Sequence, residues 1–407
     1  MSNTSKDNKK SENFYYRFHD DKQNKLEPIG TLGLVETEGA KDFIRLVNQH
    51  LVENRKAYTE KIEIDSPGFL RDNYIVDARC KRFSTGEGKA RFYDTVRGHD
   101  LFILVDVMNY SVSYKFYLED KPMTPDEHFA DLKRLILAAS GKARRINVIM
   151  PFLYESRQHR RSSRESLDCA YMLEELETLG VENIITFDAH DPRVANATPL
   201  SGFENIPIQY QLVKALSKTI PDLDLRGDNV VFVAPDEGAI DRAMFFSTLL
   251  EAPVGTFYKL RDYTKIVDGK NPIIAHEYLG DDVEGKDIII VDDMISSGDS
   301  MLDIAIEMKK RKAGRVICCA TFALFTSGLE NFDKAYEEGY IDYVFSTNLI
   351  YRTPELLGRE WYYDIDCSNY VALLIDALNH DASISQLIDH HDIINDYLDE
   401  LEEKEDQ

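Results

Sequence analysis

The sequence predicts an α/β protein whose mostly parallel sheets are flanked by helices. Short apolar, β-branched runs alternate with segments of helical periodicity, and these runs end in Asp, Pro or Ser. Strands that alternate with helices form βαβ units with parallel sheets. The predicted strands are 101–106, 146–150, 183–188, 229–234, 254–257, 287–293, 315–322 and 343–346. The predicted helices are 40–52, 126–140, 164–179, 209–218, 238–250, 299–312, 329–338 and 367–379.

Length and charge narrow the possible functions. The chain has 407 residues, enough for two or three domains of about 100–200 residues each. Lys and Arg total 48 and Asp and Glu total 72, which gives a net charge of −24. This charge argues against a general nucleic-acid-binding protein, whose surface field would need to be positive. A local basic pocket for a phosphorylated metabolite remains compatible with this charge.

Targeting and redox signals predict a cytoplasmic protein. No apolar run approaches the ~20 residues of a membrane span, so no membrane partner is expected. The N-terminus lacks the apolar core of a secretory signal. The five cysteines are odd in number and lack metal-ligand spacing, which is typical of reduced cysteines.

Both ends of the chain differ from the alternating region. Residues 1–28 are a polar tail of mixed sign, and residues 380–407 are strongly acidic with apolar residues at helical spacing. We expect an acidic amphipathic helix in the second segment. It either packs against the protein or another subunit, or binds a different partner.

The segment from 287 to 300 carries the clearest chemistry. A buried strand runs into two acids, then a loop of small residues, then a helix. Ligands bind beyond the carboxyl ends of parallel strands, and backbone N–H groups at such a loop cradle phosphate. The residues concerned are Asp292, Asp293, Ser296, Ser297, Gly298, Asp299 and Ser300. The alternative is an ordinary strand-to-helix turn in which Asp299 caps the helix.

This segment resembles the motif of the phosphoribosyltransferase fold that binds 5-phosphoribosyl diphosphate (PRPP). Neighbouring segments resemble the ribose-phosphate pyrophosphokinases, the PRPP synthases. The matching segments are 81–104, 150–166, 184–191, 231–243 and 257–263. The resemblance runs in order from about 29 to 379 and implies two phosphoribosyltransferase-like domains, 29–205 and 206–379. Insertions relative to the family lie around 53–78 and 107–125.

The resemblance implies diphosphate transfer from ATP to ribose 5-phosphate, with Mg²⁺ as cofactor. It assigns Lys259 and Arg261 to catalysis, with Arg261 also a candidate ligand of ribose 5-phosphate beside the 292–300 segment. It assigns metal binding to His190 and Asp236. The implied ATP-binding residues are Phe83, Thr85, Gly86, Glu87, Arg157 and Gln158. In the family the first ATP loop reaches an adjacent subunit, which implies a homo-oligomer, either a dimer or a hexamer of dimers.

Each assignment has a plainer alternative. Lys259 and Arg261 could be an exposed loop pair, although their spacing points both the same way if the segment is extended. His190 could be a hydrogen-bonded residue at a strand end, and imidazole is an unusual ligand for Mg²⁺. Thr85 and Glu87 could be ordinary hairpin residues. Arg242 is a further candidate for phosphate binding.

Four positions depart from the family pattern. Ser296 replaces the usual first acid of the phosphate loop, and Asp299 adds a negative charge beside it. His159 replaces the Asp that usually follows the Arg-Gln pair, and Thr85 replaces an Asp or Asn. These changes keep three further functions open: a catalytically weak regulatory homologue, a base-transferring phosphoribosyltransferase, and a diphosphokinase for another pentose phosphate.

Overall fold

The computed structural model describes residues 27–60, 66–261 and 273–405. Their contacts divide them into two compact units. Unit 1 comprises the described residues of Met1–Ile208 with Asn348–Tyr351 and Asp366–Gln407. Unit 2 comprises those of Gln209–Thr347 with Arg352–Ile365. The predicted tail 1–28 lies almost entirely outside the described residues.

Unit 1 is built on a parallel sheet. Its strands are β1 (Thr31–Glu36), β2 (Ala78–Arg82), β3 (Gly88–Phe92), β4 (His99–Leu104), β5 (Ser113–Phe116), β6 (Glu119–Pro122), β7 (Arg145–Ile149), β8 (Asn183–Phe187) and β9 (Gly202–Ile206). Its helices are α1 (Lys41–Thr59), α2 (Pro125–Ala139) and α3 (Asp168–Thr178), with 3₁₀ turns at Glu38–Ala40 and Pro192–Ala197. The sheet order is β1-β4-β7-β8-β9, and every pairing is parallel. Two antiparallel hairpins, β2–β3 and β5–β6, lie outside this sheet.

Unit 2 contains a larger sheet. Its elements are α4 (Gln209–Thr219), β10 (Val230–Ala234), a 3₁₀ turn (Glu237–Ala239), α5 (Ile240–Leu250), β11 (Val254–Arg261), β12 (Ile273–Leu279), β13 (Asp287–Ile295), α6 (Asp299–Lys310), β14 (Val316–Ala323), α7 (Glu330–Glu337), β15 (Tyr343–Thr347), α8 (Pro354–Leu357) and β16 (Tyr362–Ile365). The strand order is β12-β11-β10-β13-β14-β15-β16. Within the described part of this sheet, only the β11–β12 pairing is antiparallel. Strands β10 and β14 are buried along their whole length, as expected for strands covered on both faces.

The predicted fold class is confirmed. Each predicted strand overlaps an observed one, and each predicted helix overlaps an observed helix. The sequence did not predict β1, β9, β12, β16 or the two hairpins. Most of the hairpin residues and much of β9 are at least partly exposed and polar, so these strands lack the continuous apolar runs used to find the others.

The C-terminal helices differ from the predicted domain division. The sequence assigns 367–379 to the second domain, whereas α9 (Ser368–Asn379), α10 (Ser385–Ile388) and α11 (His390–Glu405) group with unit 1. The buried Arg55 of α1 donates from Nε to Asp376 Oδ1 at 2.7 Å and from Nη2 to Asn379 Oδ1 at 2.8 Å. A buried ion pair of this kind is costly to break, so it holds α9 against α1.

The acidic C-terminal segment is helical, as predicted. Leu387 and Ile394 are buried, and the Tyr370 hydroxyl donates to the Leu387 carbonyl at 3.0 Å. These contacts pack one side of the segment against unit 1. Over 27–60, 66–261 and 273–405, every helix is too short or too polar to span a bilayer.

Candidate active site

Strand order creates a crevice at one edge of the unit 2 sheet. From β10 the chain moves outward to β11 on one side, and from β13 it moves to β14 and β15 on the other. The carboxyl ends of β10 and β13 therefore flank a topological switch point, where open α/β sheets bind ligands. Asp236 follows β10, and Asp292 and Asp293 lie near the end of β13. The sheet thus brings together acids that are over fifty residues apart in the sequence.

Asp292 and Asp293 form a tightly placed acidic pair. The Asp293 N–H donates to Asp292 Oδ1 at 2.8 Å, and Asp293 is only 3% exposed. Burial, followed by the neighbouring Asp293 carboxylate, raises the pKa of Asp292 well above its ordinary value. The positive charge of Arg242 on α5 acts in the opposite direction on this pKa. The sequence offered Arg242 only as an isolated candidate.

The small-residue loop leads into α6 as the sequence predicts. Ser296 and Ser297 are partly buried, while Asp299 and Ser300 are exposed. The Ser296 carbonyl accepts from the Thr326 N–H at 2.8 Å, which joins the loop to the segment after β14. The first N–H groups of a helix have no partner within it, so the start of α6 is suited to an anion.

The structure corrects one expectation for this loop and adds a constraint at Gly298. Asp299 is not the helix cap: Gly298 holds that position, Asp299 lies in the first turn, and the Asp299 N–H approaches Ser297 Oγ at 3.4 Å. Gly298 adopts φ +87°, and a Cβ there would meet Phe332 Cε2 at 2.2 Å. A side chain at 298 would therefore disturb the packing of Phe332 in α7.

Asp236 is exposed and begins the 3₁₀ turn after β10. Its Oδ1 accepts from the Gly238 N–H at 3.0 Å. This bond fixes the side chain by a local turn, which is the ordinary behaviour of Asp, while the exposed carboxylate remains able to accept further ligands.

Lys259 and Arg261 lie on β11, so the segment is extended as their predicted common direction requires. Lys259 pairs with His276 of β12, and the register shifts between Leu260 and Arg261. That shift interrupts the alternation of successive side chains between the two faces of the strand. The side chains of Lys259 and Arg261 lie outside the described part of the structure.

In unit 1 the predicted ATP loop is the turn of the β2–β3 hairpin. The Phe83 N–H donates to the Glu87 carbonyl at 2.7 Å, and the Gly86 N–H donates to the Phe83 carbonyl at 2.9 Å. Gly86 has φ +91°, a conformation that glycine adopts without steric cost. The Phe83 side chain is 53% exposed and is therefore available to stack on a planar base. Thr85 Oγ1 donates to Glu87 Oε2 at 3.0 Å, a contact that an ordinary hairpin also makes.

The second predicted ATP segment lies beside the predicted metal residue. Arg157 is exposed, and Gln158 Nε2 donates to the Ser166 carbonyl at 2.9 Å. The neighbouring His159 ring lies edge-on to that of His190, with centroids 5.5 Å apart. The residue that follows the predicted ATP pair in the sequence thus contacts the predicted metal residue His190.

The sequence missed the partner of His159. His159 Nε2 lies 3.3 Å from Asp191 Oδ2, and Asp191 is buried. Hydrogen bonds from Arg193, with a smaller contribution from His159, lower the pKa of Asp191 to about 2. Asp191 directly follows His190 in the sequence. This adjacency could have identified Asp191, because charged residues at the end of one strand often belong to the same cluster. Asp188, just before this cluster, has φ +40°, an uncommon conformation outside glycine.

Metal-ligating side chains are not clustered within the part of the chain that the structure describes. Within 27–60, 66–261 and 273–405, no cluster of three or more His, Cys, Asp or Glu side chains is arranged to hold a metal ion. Mg²⁺ is usually bound through one or two carboxylates together with water and substrate phosphates. An exposed carboxylate such as that of Asp236 fits this mode of binding.

Comparison with known proteins identifies the family. Residues 34–180 match the N-terminal domain of ribose phosphate pyrophosphokinase, and residues 200–347 match the phosphoribosyl transferase domain. The ribose-phosphate pyrophosphokinase of Mycoplasma pneumoniae is 30% identical over 67% of this chain and 75% of its own length. That of Vibrio parahaemolyticus is 28% identical over 76% of this chain and 90% of its own length.

A solved structure shows the same fold. The crystal structure of phosphoribosylpyrophosphate synthetase from Mycobacterium smegmatis aligns with a TM-score of 0.68 at 20% sequence identity, covering 86% of this chain and 99% of its own. Sequence and structure agree on the resemblance drawn from the motifs. The chain belongs to the ribose-phosphate pyrophosphokinase family.

Proposed function

We propose that this protein transfers the diphosphate group of ATP to the anomeric hydroxyl of ribose 5-phosphate, giving PRPP and AMP. This is the reaction of the family to which the chain belongs. The observation that carries the proposal is the acid pair and small-residue loop at the switch point of unit 2. This arrangement offers hydrogen-bond acceptors for sugar hydroxyls next to N–H donors for a phosphate.

The proposed contacts to ribose 5-phosphate follow from that arrangement. Asp292 and Asp293 would accept hydrogen bonds from ribose hydroxyls. The amides of Ser297, Gly298 and Asp299 and the hydroxyls of Ser296 and Ser300 would bind the 5-phosphate. The exposed Asp299 side chain would need to point away from this anion.

The proposed contacts to ATP come from residues of unit 1. Phe83 would stack on adenine, and Thr85, Gly86 and Glu87 would line the base. Arg157 offers a planar fork of donors for phosphate oxygens. Gln158 would contact the nucleotide edge, although its amide nitrogen already donates to the Ser166 carbonyl.

The transfer step is a displacement at the β-phosphorus of ATP. The anomeric oxygen forms a bond to this phosphorus, its proton is lost, and the bond to the α–β bridging oxygen breaks so that AMP leaves. The barrier is mainly one of positioning charged groups and stabilising the transition state. Lys259 and Arg261 would supply fixed positive charge to the moving diphosphate.

Mg²⁺ bound with ATP would neutralise phosphate charge. His190 and Asp236 are each proposed as metal-binding residues. Asp236 supports this role because its carboxylate is exposed and oriented by the Gly238 N–H. We also propose a homo-oligomer, a dimer or a hexamer of dimers, in which the β2–β3 hairpin completes a neighbouring site. Light scattering of the purified protein measures this directly.

The test is incubation of purified protein with ATP, Mg²⁺ and ribose 5-phosphate, followed by assay of both AMP and PRPP. Formation of both products supports the proposal. Binding of both ligands without turnover identifies the regulatory homologue, which the altered residues Ser296 and Asp299 favour. Reaction only with a nucleobase and PRPP identifies a base-transferring phosphoribosyltransferase. Reaction only with a different pentose phosphate identifies a diphosphokinase for that sugar.

A further inference from the structure

A second hairpin stands beside the predicted nucleotide hairpin. It comprises residues 113–122, strands β5 and β6 with a two-residue turn at Tyr117 and Leu118, and lies within the insertion noted around 107–125. We propose that this hairpin is a brace that holds the turn from Phe83 to Glu87 in its binding conformation. The nucleotide part of this inference rests on the proposed function.

The turns of the two hairpins touch directly. The Tyr117 N–H donates to the Ser84 carbonyl at 2.7 Å. The Phe116 ring lies 3.2 Å from the point where a Cβ of Gly86 would be. Tyr117 has φ +52°, a left-handed conformation that is unfavourable for residues other than glycine. The brace therefore adopts an unfavourable backbone angle at the residue that meets the nucleotide turn.

Arg82 links the nucleotide turn to the brace and to α2. Its guanidinium carbon lies 5.2 Å from the Tyr114 ring centroid, within the range of a cation–π contact. It donates to the Gly86 carbonyl at 3.1 Å and to Asp131 Oδ1 at 2.9 Å. The Arg82 side chain is only 6% exposed, so one buried cation joins three elements around the turn.

The brace is itself anchored to the start of α2. The Tyr114 hydroxyl donates to Glu127 Oε1 at 2.5 Å, and Lys121 Nζ donates to the same oxygen at 3.1 Å. Glu127 belongs to the capping box of α2 together with Thr124. Lys121 Nζ also lies 5.4 Å from the Phe116 ring centroid. The contacts thus form a continuous path from α2 through the brace to Gly86.

Such a path matters because an isolated two-stranded hairpin is marginally stable in water. A turn that moves freely must be ordered when a ligand binds, and that ordering reduces affinity. The brace lowers this cost by ordering the turn beforehand. We therefore expect weaker contacts in the brace to reduce ATP affinity while ribose 5-phosphate affinity stays constant.

The test compares Phe116→Ala with Leu118→Ala in the full chain. Leu118 is the matched control because it lies in the same turn and is 93% exposed. Amide hydrogen exchange of residues 83–87 is measured without ligand, and Mg-ATP and ribose 5-phosphate binding are measured separately by calorimetry. A second variant, Tyr114→Phe, removes only the hydroxyl that donates to Glu127.

We expect Phe116→Ala to speed exchange at 83–87 and to weaken ATP binding by about 5- to 10-fold, the cost of ordering one or two more groups. Tyr114→Phe should act in the same direction more weakly, and Leu118→Ala should match the parent. Unchanged exchange in both Phe116→Ala and Tyr114→Phe overturns the brace. An equal loss of ribose 5-phosphate affinity also overturns it. A parent protein that binds no ATP overturns the proposed function and the nucleotide role of the turn, whereas exchange still reports on the brace.

Discussion

The crevice of unit 2 and the nucleotide loops of unit 1 are built in different ways. In the crevice, buried strands place the acids: Ile288, Ile289 and Ile290 of β13 are fully buried, and Asp292 and Asp293 follow on the same strand. In unit 1, the turn at Phe83 projects from a hairpin outside the main sheet and is held by side-chain contacts through Arg82. The first arrangement depends on backbone topology, whereas the second depends on particular side chains.

The largest expected effect is a loss of turnover on substitution of Lys259 in unit 2. We expect Lys259→Ala to lower turnover by about 100-fold or more, because a charge acting mainly on the transition state changes the rate more than substrate binding. Steady-state turnover and ATP affinity are measured together. Lys310→Ala, a change at an exposed lysine of α6, serves as the control. Comparable turnover in Lys259→Ala and the parent would remove Lys259 from catalysis.

Asp236→Asn probes the proposed metal ligand at the same edge. Asn retains the acceptor for the Gly238 N–H but lacks the charge that Mg²⁺ favours. We expect the Mg²⁺ concentration for half-maximal activity to rise about 10-fold, since a metal ligand is weakened without loss of the turn. Asp241→Asn, an exposed acid in the first turn of α5, is the control. An unchanged Mg²⁺ requirement in Asp236→Asn would contradict the assignment.

His159→Ala tests the side-chain dependence of unit 1. The change removes one of the partners of Asp191 and the ring beside His190. Loss of such an orienting contact typically costs about 10-fold in affinity or activity, and we expect it mainly in the KM for Mg-ATP. His159→Gln, which keeps a donor, should recover part of the loss. His391→Ala, another His beside an Asp, should leave the KM unchanged; a similar shift in both His→Ala variants would contradict the contact's specific role.

The smallest effect concerns the stability of the acid pair. Since the pKa of Asp292 is raised in the folded chain, the folded state binds this proton more tightly than the unfolded state. Stability from this group is therefore present at low pH and is lost as pH rises from the unfolded pKa through the folded pKa. Asp292→Asn removes the titrating carboxyl and with it this loss of stability. We therefore expect the melting temperature of the variant at neutral pH to exceed the parent's by about 2–4 °C.

The same variant should bind ribose 5-phosphate more weakly, because its amide presents a donor where the sugar hydroxyl needs an acceptor. The stability difference should shrink as pH falls below the unfolded pKa. Asp303→Asn, an exposed position on α6, is the matched change. If Asp292→Asn melts below the parent at neutral pH, the repulsion inferred for the pair is wrong.

The difference between the crevice of unit 2 and the nucleotide loops of unit 1 also explains which features could be predicted from the sequence. Strands such as β13 and β14 are continuous apolar runs, so the fold class and the acids at the end of β13 follow from pattern alone. The β5–β6 hairpin, SYKF and EDKP, has no such run, and its packing on Gly86 depends on Phe116 and Arg82. The pairing of His159 with Asp191 joins two loops after separate strands, and no local pattern encodes that distance. The helix cap was misassigned because Asp is a favoured cap, whereas the turn before α6 requires the left-handed backbone of Gly298.

The central claim is tested most directly by following the reaction with ³¹P NMR in one sample of protein, ATP, Mg²⁺ and ribose 5-phosphate. Diphosphate transfer predicts that AMP and the diphosphate resonances of PRPP appear at equal rates while ATP disappears, with no ADP formed by the protein. Transfer of a single phosphoryl group would instead give ADP and a bisphosphorylated sugar. Accumulation of ADP, or the persistence of ATP with both ligands bound, would contradict the account.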